Sequence, residues 1–133
     1  MTNYNQYLFV YGTLLDEANE FAVYLKENCI FYKEGKFKGR LYDIGEYPGA
    51  IVESGNDAFV YGSIFILNDT QSILKILDDY EGVGEDESQP NEFIRKLLTI
   101  ETADKPIKCW VYLYNLPVDG LRQIVSGNYF SSP

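Results

Sequence analysis

Between residues 29 and 67 the chain runs as short apolar and aromatic stretches broken by Gly35, Gly39, Gly45, Pro48-Gly49 and Ser54-Gly55-Asn56-Asp57. This punctuation constrains the fold more than any other feature. Aromatic and β-branched residues suit a pleated, half-buried surface, while Gly, Pro, Asn and Asp supply turn conformations, so three or four strands joined by tight turns are predicted. Upstream, Tyr7-Leu8-Phe9-Val10-Tyr11 has the composition of a buried strand, interrupted by Gly12-Thr13. Residues 17–28, after an N-cap at Asp16, place Phe21, Tyr24 and Leu25 on one face of a helix. Asn68 with Gln71 three residues on has capping-box spacing, and Ile73, Leu74, Ile76, Leu77 and Tyr80 trace the apolar stripe of a second helix that ends at Gly82.

Residues 83–92 are acidic and aperiodic, with Gly84 and Pro90, and read as a solvent-facing, mobile loop. Residues 93–101 and 107–114 form two strand-like runs around a turn at 102–106, and the tail reads mostly as loop. With 133 residues, 46% of them apolar, and no repeat or interdomain linker, a single domain over 1–133 is expected. Its class is α+β, with a curved, largely antiparallel, barrel-like sheet and two flanking helices.

Composition removes whole classes of chemistry. There is no histidine, which excludes Ser-His-Asp and Cys-His catalysis and the usual zinc constellations. Any acid-base catalyst is then Glu, Asp, Tyr, Lys or Cys. A formal charge of -9 disfavours nucleic acid, whose binding needs a positive surface. No stretch approaches the roughly 20 apolar residues of a membrane-spanning helix, and Met-Thr-Asn-Tyr-Asn-Gln is unlike a signal peptide, so neither a membrane nor export is expected and the location is read as cytoplasmic. Cys29 and Cys109 read as two buried thiols.

Glu81, in Asp78-Asp79-Tyr80-Glu81-Gly82, falls at or beside the C-cap of the second helix. A carboxylate is misplaced there: the unpaired carbonyls of the helix end, Asp78, Asp79 and burial beside Tyr80 all disfavour its charge and raise its pKa. On position alone, an exposed glutamate in a solvated acidic turn is the commoner case. Tyr11-Gly12-Thr13-Leu14 adds a second feature, because a glycine ending a buried strand lets the backbone approach a ligand and present N–H groups. Taken alone, it is an ordinary strand-to-helix turn.

In order along the chain, Leu8-Phe9-Val10-Tyr11-Gly12-Thr13-Leu14, Gly39-Arg40-Leu41-Tyr42-Asp43 with Tyr47-Pro48, Val60-Tyr61-Gly62-Ser63-Ile64-Phe65, Leu77-Asp78-Asp79-Tyr80-Glu81-Gly82, Trp110-Val111-Tyr112-Leu113-Tyr114-Asn115 and Ser126-Gly127-Asn128-Tyr129 resemble the γ-glutamylcyclotransferase-like family. That family includes γ-glutamylamine cyclotransferases and plant avirulence-induced proteins. The resemblance implies that the backbone of Tyr11, Gly12, Thr13 and Leu14 lines the substrate cavity and that Glu81 transfers the proton. It also implies the reaction: the α-amine of a γ-glutamyl amine or peptide attacks its own γ-carbonyl, giving 5-oxoproline and a free amine. The sequence departs from the family in its acidic loop at 84–92, in Phe93 with Arg95 where many relatives carry a tyrosine-arginine pair, and in Asn128-Tyr129 where aspartate-tryptophan is commoner.

An intramolecular reaction needs no enzyme nucleophile, so no cofactor or metal is expected, and a small γ-glutamyl compound is the expected partner of a monomer or weak homodimer. Tyr114 is a candidate hydrogen-bond donor to the substrate, with Tyr129 a weaker one. Arg40 reads as a surface ion-pair partner, Trp110 as packing, and the acids at 85–87 as solvated. Two other functions fit the same residues: a small-ligand binding protein that keeps the cavity without turnover, and removal of a γ-glutamyl protecting group in a biosynthetic pathway.

Overall fold

The structure, a computed structural model, describes residues 6–11, 20–45, 47–53, 55, 57–81, 83–84 and 89–128. The elements are β1 (Tyr7–Val10), α1 (Glu20–Asn28), β2 (Cys29–Asp43), β3 (Pro48–Val52), β4 (Phe59–Leu67), α2 (Thr70–Glu81), β5 (Phe93–Ile100), β6 (Ile107–Tyr114) and β7 (Arg122–Gln123). The strands run in the order β3-β2-β4-β1-β6-β5, with β7 beside β2. Every pairing is antiparallel except β1 with β6, which brings the C-terminal ends of those two strands to the same end of the sheet.

The sheet curls because β2 is long and bent. Its 15 residues pair with β4 over their first two thirds and with β3 over the rest, with a register shift between Phe31 and Lys33. Lys36 and Glu101 exchange backbone hydrogen bonds of 3.0 and 2.8 Å, drawing the end of β5 back toward β2 and giving a curled half-barrel. Gly35 and Gly39, expected among the turn residues, lie inside β2 instead. They serve close approach: a Cβ on Gly35 would sit 2.5 Å from Ile100 Cγ2, and one on Gly39 2.1 Å from the Ile51 carbonyl oxygen. Residues 29–67 thus form three strands.

Period-two alternation explains why β1 is apolar throughout. Phe9 and Tyr11 point into the curl with Phe37, Leu41, Val60, Ile64, Val111 and Leu113, while Leu8 and Val10 point outward beneath Leu25 of α1 and Ile73, Leu74 and Leu77 of α2. Leu8 and Leu77 are wholly buried, each contributing about 2 kcal/mol of transfer free energy. Both thiols are buried and free.

Helix α2 begins one residue later than capping-box spacing suggests. The cap is Asp69, not Asn68: Asp69 Oδ1 accepts the Ser72 N–H (3.3 Å), Oδ2 accepts the Ser72 hydroxyl (3.1 Å), and its carbonyl accepts the Ile73 N–H (2.9 Å). Helix α1 is described from Glu20, so the N-cap expected at Asp16 lies outside the described residues. Beyond β6 the tail is not all loop. It forms β7 and then docks on β4, the Tyr61 N–H donating to the Gly127 carbonyl at 2.8 Å. Among the described residues no helix is long and apolar enough to cross a membrane.

Gly62 sits where β4 crosses β1, and a Cβ there would lie 2.3 Å from the Val10 carbonyl oxygen. Backbone at the centre of a sheet cannot yield cheaply. Gly62→Ala is therefore expected to destabilise the fold by about 2–3 kcal/mol, read from urea unfolding midpoints at an unchanged m-value.

Candidate active site

The open end of the curl gathers the last turn of α2, the ends of β1 and β6, the start of β3 and the residue before β5. Glu81 closes α2. The Val83 N–H reaches back to the Asp78 carbonyl at 2.8 Å, a closure that leaves Glu81 at the C-cap, and Val83 packs on the cluster that includes Leu77. Gly82, where the helix is expected to stop, lies outside the described residues.

The turn carrying Glu81 is fastened through Asp78. Asp78 Oδ1 accepts the Arg95 Nε–H (2.8 Å) and the Tyr112 hydroxyl (2.6 Å), and Oδ2 accepts an Arg95 Nη2–H (3.0 Å). Two parallel bonds from a guanidinium fix orientation as well as distance. Arg95 also lies over the Trp110 ring, 4.6 Å from its centroid, so Trp110 packs against a cation rather than against apolar chains alone.

Glu81 itself is half-buried. Its pKa is pushed up to about 7, first by burial, then by the charge of Glu92, then by that of Asp78. Two of these causes were anticipated. Asp79 is exposed and adds nothing resolved, whereas Glu92 was assigned to a solvated loop. In the structure Glu92 is half-buried, its Oε2 accepts the Tyr47 hydroxyl at 2.7 Å, and its carbonyl accepts the Asn115 N–H at 2.7 Å. Residues 85–88 of that loop, including the acids at 85–87 read as solvated, lie outside the described residues.

Tyr11 is buried at the end of β1, and its hydroxyl is engaged twice: it donates to the Tyr112 carbonyl (2.6 Å) and accepts the Ala50 N–H (3.2 Å). Its side chain ties β1, β6 and β3 together at the mouth of the curl. Burial, followed by the charge of Glu81, drives its pKa far upward, so the hydroxyl keeps its proton and lies within the field of Glu81. Gly12, Thr13 and Leu14 lie outside the described residues, as does Tyr129. Tyr114, at the end of β6, is half-buried; its pKa is raised by burial and by Glu92. A Cβ on Gly49 would fall 2.9 Å from that of Tyr114, so the glycine lets β3 lie against this ring.

Tyr47, Phe93 and Tyr114 form one aromatic wall, with ring centroids 5.8 and 5.6 Å apart in succession. Arg40 takes no part: its Nε–H donates to Glu53 Oε2 at 2.7 Å. Sequence reading thus missed the Tyr47–Glu92 pair. The available signal was the hairpin, whose register sets Phe93 opposite Tyr114 and so carries Glu92 to the mouth of the sheet.

A curled α+β half-barrel with a carboxyl of raised proton affinity at its open end defines the class, and solved structures share the shape. The chain is similar to YkqA from Bacillus subtilis with a TM-score of 0.70 at 20% identity, covering 95% of this chain and 40% of that one. It is similar to the solution structure of ytfP from Escherichia coli with a TM-score of 0.65 at 26% identity, over 94% and 96% of the two chains. In sequence it is 28% identical over 123 residues, 92% of this chain and 93% of the relative, to a protein described as gamma-glutamylcyclotransferase family protein ytfP from Citrobacter rodentium. Residues 8–131 match the family described as gamma-glutamyl cyclotransferase, AIG2-like, and the chain belongs to that family. Membership supports an enzyme of the cyclotransferase kind.

Glu81 holds its proton more tightly in the folded chain than in the unfolded one. The folded state therefore carries an extra proton between about pH 4.5 and 7, and stability falls as pH rises through that window. Glu81→Gln removes the penalty. It is expected to stabilise the protein by about 2–3 kcal/mol at pH 8 and far less at pH 5, measured by urea unfolding at both values.

Proposed function

We propose that the protein is a γ-glutamyl cyclotransferase that closes the γ-glutamyl group of a small γ-glutamyl amine or peptide to 5-oxoproline and releases the amine. The observation that carries this is Glu81, a carboxyl poised near pH 7 at the open end of the curl, where its charge acts on Tyr11, Tyr47 and Tyr112, in a chain without histidine. A base works best when its pKa lies near the operating pH, and an ordinary carboxylate is too weak to draw a proton from an α-ammonium.

The chemistry asks little else of the protein. Nucleophile and electrophile belong to one molecule, so holding the folded conformer supplies the effective-molarity gain of an intramolecular reaction and requires no cofactor. Glu81 takes a proton from the α-ammonium, and the freed amine attacks the γ-carbonyl. A C–N bond forms in the five-membered ring as the bond to the leaving nitrogen breaks. The nucleophilic nitrogen gives up two protons in passing from ammonium to lactam N–H, and the leaving nitrogen takes up two to depart as an ammonium. The site must shuttle protons, not supply them. One carboxyl that accepts and then donates suffices.

Charge developing on the γ-carbonyl oxygen is assigned to backbone N–H groups of Gly12 to Leu14, at about 3 kcal/mol per well-placed donor. Tyr114 is assigned to the wall that holds the substrate chain. Tyr11 contributes through its backbone, because its hydroxyl is already committed to Tyr112 and Ala50.

Incubation with a panel of γ-glutamyl amides and dipeptides, with 5-oxoproline followed by mass spectrometry, tests the proposal. Wild type is expected to release 5-oxoproline from at least one compound, and Glu81→Gln to lower kcat by about 10²–10⁴-fold. Equal rates in both remove Glu81 from its role. No product across the panel favours a binding protein.

A further inference from the structure

Loop 83–92 is held at its base in a way that an idle acidic loop does not need. The Gly84 N–H donates to Asn91 Oδ1 (3.0 Å) while Asn91 Nδ2 and Gln89 Nε2 both donate to the Gly84 carbonyl (3.0 and 2.8 Å). From the other side, Asn115 Nδ2 donates to the Asn91 carbonyl (3.0 Å), and its N–H donates to that of Glu92. These bonds fix the backbone of Glu92 beside the end of β6. The Tyr47 hydroxyl then fixes the side chain at 2.7 Å. Burial and the neighbouring carboxylates drive the Tyr47 pKa far upward, so this hydroxyl stays protonated and acts as a donor.

Glu92 therefore stands as an oriented carboxylate at the same open end of the curl as Glu81, on which its charge acts. Tyr47 bonds Glu92 and lies in the field of Glu81. Arg95, the nearby guanidinium, is already taken up by Asp78. A fixed, half-buried anion is stabilised by a cation that arrives with the ligand.

Resting on the cyclotransferase function, we propose that Glu92, presented by Tyr47, is a substrate-binding carboxylate that grips the α-ammonium of the γ-glutamyl group opposite Glu81. An ammonium has three N–H donors and can address both carboxylates at once. Glu92 holds the nitrogen in place, and Glu81 takes its proton. The division explains why the site carries two carboxyls when proton transfer requires one.

The test compares binding of γ-glutamylethylamide with that of its des-amino analogue, the ethylamide of glutaric acid, by calorimetry in Glu81→Gln, whose turnover is slowed enough for binding to be read. Glu81→Gln is expected to favour the amino compound by about tenfold or more, and the double variant with Glu92→Gln to bind the two alike. In the otherwise wild-type enzyme Glu92→Gln is expected to raise KM about tenfold and, because it withdraws one of the charges that raise the Glu81 pKa, to move the pH profile of kcat toward lower pH. Tyr47→Phe, which keeps the charge but frees the carboxylate, is expected to lose part of the discrimination, and it decides the matter if the double variant does not fold. Discrimination that survives loss of Glu92, or is untouched by Tyr47→Phe, overturns the inference alone. Failure of Glu81→Gln to bind the amino compound overturns the cyclotransferase function and the inference together.

Discussion

The last turn of α2 is tied to β5 and β6 through the carboxylate of Asp78, which accepts two hydrogen bonds from Arg95 and a third from Tyr112. The two parallel bonds from the guanidinium fix the orientation of this partly buried carboxylate as well as its distance, and the Tyr112 hydroxyl ties it to β6. Glu81 lies three residues further on, one helical step from that anchor. Its place at the mouth of the curl therefore follows from where Asp78 is pinned, and so does its electrostatic environment, because the pinned carboxylate is one of the charges acting on it.

What results is a local conflict maintained by the rest of the fold. Helix C-termini favour cations, yet α2 ends without a basic residue in its last turn and presents a half-buried carboxyl instead. The apolar stripe of Ile73, Leu74 and Leu77, packed against Leu8 and Val10, keeps the helix in place despite this. Tyr11 does comparable work on the other side of the mouth: one hydroxyl, both donor and acceptor, joins three strands where their ladder is ending. The mouth of the curl is thus fixed by groups other than the carboxyl assigned the chemistry.

Much of this was legible in the sequence because local signals happened to agree with the fold. The stripe of α2, the hairpin of β5 and β6, and the anomaly of an acid before Gly82 each lie within one short continuous segment, and periodicity or composition reports them. Where the relevant partner is distant, local pattern fails. Glu92 bonds Tyr47, 45 positions away, and nothing in its own segment separates it from the neighbouring solvated acids. Gly35 and Gly39 read as turn residues because glycine marks turns, but in β2 they admit Ile100 and the β3 backbone at a bend. Asn68 and Asp69 are both good caps, and tertiary geometry, not residue type, chooses between them.

The central claim is that this environment, with partial burial and the charges of Glu92 and Asp78, places the Glu81 proton near neutrality. A ¹³C NMR titration of the glutamate side-chain carboxyls, with the Glu81 signal assigned by its absence in Glu81→Gln, measures this directly. A midpoint near pH 7 is predicted. A midpoint at the ordinary glutamate value of about 4.3 would contradict the account.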